Sequence, residues 1–316
     1  MQMSMNEAVT EIVKKIMNHS DRFDCAVDEV NEAKIIDVGV NVEGTQELGQ
    51  LVAEIAMGGH GVVKLSRGLF GELILPVAIV ATNMPTRAII CSQFADWKIE
   101  VGDFTAMASG PAKALTKMHT PLGKISCEEI ADSGVILLDT RQIPTPEVVE
   151  YLSKKCGINP SDLFCVVSPT ASKVGTIRIA SRIIESGIFK VYKLGFHPDK
   201  VRSAYGVAPI PPVAKNDKQA IEIANQCIMY GGSVFFYVRA TEDEDLQRLT
   251  SEIPFSSEQH EVPSQSSGTH FDVSYRNMDS LGFGPAQATI TDIETQQSYS
   301  AGSIDSAALK KVLGSY

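Results

Sequence analysis

Residues 164–194 read FCVVSPTASKVGTIRIASRIIESGIFKVYKL, and this stretch decides the fold class. Phe164 to Ser168 is a short apolar run, the pattern of a buried strand. It passes through Pro169, Thr170 and Ala171 into a helical pattern from about Ser172 to Leu194. There Ile177, Ala180, Ile184, Ile188 and Val191 recur every three or four residues as one core-facing stripe. Gly195 and Pro198 end the helix. Upstream, Val135 to Leu138 reads as a strand, and Pro146 to Cys156 as a helix opened by Thr145. This β-α-β-α order at short spacing implies parallel strands with covering helices.

Further out, residues 5–18 predict a helix with Val9, Ile12, Val13 and Ile16 on one face. Ile35 to Val40 predicts a strand, and Thr45 to Ala56 a helix stopped by Gly58 and Gly59. Val62 to Leu65, Leu73 to Ala81 and Ala88 to Ser92 predict a β-rich stretch with turns at Gly68 and Pro85. Past the long helix, Pro209, Pro211 and Pro212 form a stiff connection. A helix near 217–228 and a strand from Val234 to Val238 follow. Residues 241–280 turn polar and read as a surface excursion. Residues 288–300 alternate as a hairpin does, and a short helix from about Asp305 closes the chain. The expected architecture is α/β: two side-by-side α/β domains with a ligand cleft between them. One is placed at 1–86 plus 282–316 and the other at 87–281.

Length and composition fit this. A chain of 316 residues, 44% hydrophobic and 21% charged, is long and apolar enough for about two cores. A net charge of -10 argues against nucleic acid or an anionic membrane as the main partner. The longest apolar run, Leu73 to Ala81, falls short of a membrane span and holds Pro76. The N-terminal stretch carries Glu7 and Glu11, unlike a signal peptide, so a cytoplasmic location is expected. The six cysteines have no CxxC spacing and do not cluster with histidine, so neither a zinc site nor a disulfide framework is expected. No metal is expected. Without a dinucleotide glycine fingerprint, neither is a nicotinamide or flavin.

Several segments offer chemistry, each with a plainer alternative. Arg178, Arg182 and Glu185 are spaced four and three apart, so they read as one stripe on the long helix. That stripe is either a solvated charged face or a site. Thr170 and Ser172 lie at a strand-to-helix turn, where open α/β sheets bind ligands, and equally where a helix is simply capped. Ser109, Gly110 and Lys113 open an Ala-rich segment suited to an anion or to a plain helix start. Met57, Gly58 and Gly59 permit close backbone approach or form a helix cap. Ser92 and Gln93 stand beside Trp97, the only tryptophan, which reads as core or as a ligand platform.

Together these runs resemble the methenyltetrahydromethanopterin cyclohydrolase family over nearly the whole chain. The matching residues begin with Asp37, Gly39, Val40, Asn41 and Gly44, then Met57, Gly58 and Gly59, then Ser92, Gln93 and Trp97. Ser109 to Ala112, Pro169 to Ser172, Val174 and Gly175 follow. Pro209, Ile210 and Pro212, then Tyr230, Gly231, Ser233 and Val234, and lastly Phe283, Pro285 and Ala286 complete the series. The order and spacing are specific although no single run is. Departures are Ala108 and Lys113 in place of Gly and Arg, Phe94, Arg178, and the pair Asn225-Gln226.

The resemblance implies hydrolysis of a 5,10-methenyl cation to a 5-formyl product, with Glu185 and Arg182 as the catalytic pair. It implies substrate contacts at Ser92, Gln93, Trp97, Ser109, Gly110, Lys113, Thr170, Ser172, Gly58 and Gly59. It implies a homotrimer, a reduced pterin as substrate and no separate cofactor. Other readings are another hydrolase or transferase acting on a reduced pterin, a non-catalytic pterin-binding paralogue, or, without the resemblance, a generic phosphate-binding domain.

Overall fold

The computed structural model describes residues 4–116, 125–255 and 283–314. The chain forms two compact units. The first comprises Met1–Gly61 and Arg87–Arg178. Its six strands are β1 (Ala26–Val30), β2 (Ala33–Asp37), β5 (Trp97–Val101), β6 (Phe104–Ser109), β7 (Gly134–Asp139) and β8 (Leu163–Ser168). They lie in the order β1-β2-β8-β7-β6-β5. The central three, β2, β8 and β7, are parallel, and the outer pairings are antiparallel. Strand alternation divides the core in two. Ile36, Val135, Leu137 and Val166 pack with α1 (Met5–Asn18), the short α2 (Ser20–Phe23) and α3 (Gln46–Ala56). Ile35, Ile136, Leu138, Cys165 and Val167 pack with α4 (Pro146–Cys156).

Local chemistry sets the helix limits in this unit. Ser4 opens α1, its Oγ accepting from the amides of Asn6 and Glu7. Burying Val9, Val13 and Ile16 on one side of α1 contributes on the order of 5 kcal/mol before entropy is counted. Thr45 Oγ1 accepts from Leu48 N at 3.1 Å to open α3. Its end needs two left-handed residues, Gly58 at φ 62° and Gly59 at φ 71°.

The second unit comprises Val62–Thr86 and Ile179–Tyr316. Its strands are β3 (Gly61–Phe70), β4 (Leu73–Thr82), β9 (Val201–Pro209), β10 (Ser233–Val238), β11 (Gln287–Asp292) and β12 (Ser298–Gly302). Their order is β12-β11-β10-β9-β4-β3, with β10 and β11 parallel. After β8 the chain enters α5 (Lys173–Ala180) and then α6 (Ile183–Lys193). Helix α6 packs on one face of the second sheet, with Ile183 and Ile184 against Gly206 and Phe236 against Gly187. Helices α7 (Asp217–Gly231) and α9 (Ser306–Gly314) pack on the other face, through Ile223, Cys227 and Leu309 with Phe70 and Val77. Helix α8 (Leu246–Glu252) packs against β11 and β12.

The α/β class and two units agree with expectation, but several particulars differ. The expected partition, 1–86 with 282–316 against 87–281, cuts across both units. The reason is strand pairing. Strand β2 lies parallel to β8, which ties the N-terminal segment to the middle of the chain, while β4 lies against β9 in the second sheet. The expected single helix from Ser172 to Leu194 is two helices. Arg182 N bonds Ile179 O, three residues back, and α6 restarts there. The apolar stripe serves two cores: Val174 belongs to the first unit and Ile183 packs in the second. Thr86–Gln93, expected to be extended over Ala88 to Ser92, is a π-helix. A short apolar run does not by itself separate strand from helix. Gly68 sits within β3, and the turn falls at Gly71, φ 61°. Cys91 and Cys127 form a disulfide, against the expectation of none. The polar stretch 241–280 contains α8, and its residues from 256 onward lie outside the described ones.

Candidate active site

In the first unit, three loops gather at the carboxyl ends of the parallel strands, where open α/β sheets place ligands. After β2, the Asp37 carboxylate accepts from the amides of Gly39 at 3.0 Å, Val40 at 2.7 Å and Asn41 at 2.8 Å. It also accepts from Asn41 Nδ2 at 3.0 Å. One side chain thus folds the whole Gly-Val-Asn loop. After β8, Ser172 Oγ donates to Pro169 O at 2.8 Å and accepts from Gly175 N at 2.9 Å, so Ser172 caps α5. The turn is tight. A Cβ on Gly175 would stand 2.2 Å from Pro169 O, and one on Gly39 would stand 2.8 Å from Ser172 Oγ. Thr170 and Ser172 are both buried there.

After β7, Asp139 forms an ion pair with Arg178 of α5. The Arg178 side chain is 5% exposed, and its Nε has no hydrogen-bond partner among the described residues. Ser109 lies opposite Leu137, and Met107 opposite Asp139, so Ser109 and Asp139 share the sheet face that packs on α1 and α3. The π-helix meets this edge of the sheet. Gly110 N donates to Ser92 O at 2.7 Å, and Ser92 Oγ donates to Ala56 O at 2.6 Å. Gln93 is 2% exposed, and neither its Oε1 nor its Nε2 has a partner among the described residues. The buried Ser109 Oγ also lacks one. Unsatisfied buried polar groups cost stability and mark positions that a ligand's polar edge can complete.

In the second unit, Arg182 stands at the start of α6 and closes on Glu185, three residues on. Arg182 Nε reaches both Glu185 oxygens, at 3.2 Å and 3.1 Å, and Nη2 also contacts Oε1. Glu185 is completely buried, while the Arg182 side chain keeps 15% of its exposure. A buried carboxylate gripped by a guanidinium is held in one orientation.

The family model described as Cyclohydrolase (MCH) matches residues 4–313. The chain belongs to this family. It is similar to the methenyltetrahydromethanopterin cyclohydrolase of Methanocaldococcus jannaschii, at 34% identity over 99% of this chain and 98% of the relative. It is 31% identical to the Methanothermobacter marburgensis protein of that name, over 98% of this chain and 99% of the relative. The one from Methanococcoides burtonii is also 31% identical, over 98% of each chain.

Within this cyclohydrolase, the expected contact residues fall into distinct settings. Ser92, Gln93, Ser109 and Gly110 come together at the π-helix, and Thr170 and Ser172 at the turn after β8. Lys113 is turned inward: it pairs with Asp96, donates to Phe94 O at 2.5 Å and sits over the Phe94 ring at 5.5 Å. Two of the departures, Lys113 and Phe94, thus form one internal unit. Trp97 is core, packed with the α4 cluster and 6.4 Å from the Tyr151 ring. Gly58 and Gly59 cap α3 and admit α1, since side chains there would meet Met5 and Ala8. Sequence reasoning gave no role to Asp139 or Asp96, and it named Asp37 only as part of the family match. Asp139 was open to detection as an acid at the end of an apolar run, directly before the turn at Thr140.

Proposed function

We propose that the chain hydrolyses 5,10-methenyltetrahydromethanopterin to 5-formyltetrahydromethanopterin in one-carbon metabolism. The observation that carries this reading is the buried Glu185 carboxylate held by Arg182, within a chain that matches the cyclohydrolase family end to end. The substrate carbon lies between two nitrogens and is already cationic, so water attacks it without a covalent nucleophile. Glu185 takes a proton from the attacking water as the C–O bond forms. The same carboxyl returns a proton to the departing ring nitrogen as that C–N bond breaks. The formyl C=O remains, and one net proton goes to solvent. Arg182 fixes the carboxylate so that little reorganisation accompanies either transfer.

In this reading no resident metal or redox cofactor takes part, and prolonged chelation leaves turnover unchanged. The chain is cytoplasmic and assembles as a homotrimer. An aromatic patch on the second sheet supports assembly, because Tyr205, Phe235 and Tyr237 are exposed together and Tyr205 and Phe235 meet edge-on at 5.8 Å. Sedimentation at micromolar concentration checks the trimer. The deciding test is the fall in methenyl absorbance on adding purified protein. An activity no greater than the spontaneous rate would overturn the assignment.

A further inference from the structure

Four of the six cysteines are held away from chemistry. Burial and the nearby Asp24, Asp37 and Asp21 carboxylates push the Cys25 thiol up to about 11. Burial alone pushes Cys156 and Cys227 up to about 12, and it raises Cys165 as well. The other two, Cys91 and Cys127, are joined across 36 residues of sequence. Cys91 is buried in the π-helix, immediately before Ser92 and Gln93. Cys127 is half-buried, between the exposed residues Ser126 and Glu128.

A second clamp stands beside the first. Glu129, two residues after Cys127, accepts from Ser4 Oγ, Met5 N, and Asn6 N and Nδ2, at 2.6–3.1 Å. It also accepts from Arg87 Nη2 at 3.2 Å. Arg87 and Cys91 are both on the π-helix, so its 127–129 neighbour grips it once by charge and once covalently. A π-helix is a rare winding that depends on its surroundings. Disulfides in thiol-reducing compartments are usually transient and redox-sensing.

We propose that Cys91–Cys127 is a reversible thiol–disulfide exchange site that sets the π-helix carrying Ser92 and Gln93, and through it the affinity for substrate. The affinity half rests on reading those two residues as pterin contacts. The reductant is a dithiol. Its thiolate attacks Cys127 Sγ, the S–S bond breaks, and Cys91 leaves as a thiolate and takes a proton. The second thiol of the dithiol then resolves the mixed disulfide and frees Cys127. Two electrons and two protons pass to the protein, and the dithiol ends as its own disulfide.

The test uses the whole chain after treatment with oxidised or with reduced dithiothreitol. Alkylation in denaturant should label four cysteines in the first sample and six in the second. Reduction should raise KM for the methenyl substrate at least threefold with a smaller change in kcat, and reoxidation should restore it. Cys127→Ser should stay at the reduced value in either medium, whereas Cys25→Ser should still switch. Six labels in both samples, or one KM in both states, would overturn the proposal. If neither state turns over substrate, the functional reading fails on its own, and the switch is judged by melting. A midpoint lower by on the order of 5 °C on reduction supports it, and an unchanged midpoint overturns it.

Discussion

Arg178 and Arg182 stand four residues apart on one stretch of chain, and each closes on a carboxylate. The two pairs differ in where the carboxylate comes from. Asp139 arrives from the end of a strand 39 residues away and anchors α5 to the first sheet. Glu185 is three residues from its arginine, at the start of the same helix. A long-range buried pair holds tertiary structure, and removing one partner leaves an uncompensated charge. A local pair is brought together by helix geometry alone, and its burial fits the catalytic role proposed for Glu185. The contrast also accounts for a positive residue, Arg178, in a protein read as taking a cationic substrate, because Asp139 offsets its charge.

The sharpest test of this contrast is Glu185→Gln. Glutamine keeps the size and a carbonyl acceptor but takes no proton at neutral pH. The expected result is a fall in kcat of roughly 10³–10⁴-fold, with the dissociation constant within a few-fold and the melting midpoint little changed. Turnover within a few-fold of the parent would make Glu185 an ordinary buried partner and erase the difference between the pairs. Arg182→Ala should weaken both kcat and binding, because it frees the carboxylate.

Asp139→Ala should behave in the opposite way. It strands Arg178 and should cost about 3–5 kcal/mol of stability, read from urea unfolding of the first unit. The apolar double substitution Arg178→Met with Asp139→Leu should recover most of that loss. A double variant as unstable as the single one would show that the pair does more than hold α5 in place.

The sequence exposed one of these pairs and hid the other for a physical reason. A spacing of three along a helical pattern brings Arg182 and Glu185 together by local geometry alone. Asp139 meets Arg178 only because β7 and β8 are parallel neighbours, which no local pattern specifies. The same division runs through the fold. Helices α1, α3, α4 and α7 and the β11–β12 hairpin were legible from caps and periodicity. The partition into units was not, because it follows from β2 against β8 and β4 against β9. The break at Arg182 carries no Gly or Pro, and it arises because one apolar stripe is buried in two cores. Lys113 read as an anion ligand because its partner Asp96 lies 17 residues away across a turn that spacing does not reveal.

The turn that launches α5 gives a smaller effect. Gly175→Ala would drive a Cβ into the Pro169 and Thr170 carbonyls, at 2.2 Å and 2.6 Å, and should cost about 3 kcal/mol. Gly157→Ala, at φ 70° with open space around it, should cost only the left-handed penalty of about 1–2 kcal/mol. Equal melting midpoints for the two variants would mean that the turn can relax, and that Arg178 is not held as firmly as its ion pair implies.

The smallest effect belongs to a third arginine–carboxylate pair, Arg87 with Glu129, because a histidine stands beside it. Burial, and next the Arg87 charge, hold His60 below its ordinary value of 6.5, while Glu129 pulls the other way. The unfolded chain therefore binds this proton more readily than the folded one. The contribution to stability is fully present above pH 6.5 and is lost as the pH falls below it, through the lowered folded value. His60→Gln removes the titration while keeping a polar side chain. Melting midpoints at pH 7.5 and pH 5.5 should therefore differ less in the variant than in the parent. The substitution changes no other residue, so the comparison isolates the imidazole. If the two proteins lose the same number of degrees, His60 is not the group that makes this pair sensitive to pH, and the pair does not differ in that respect from the two pairs compared above.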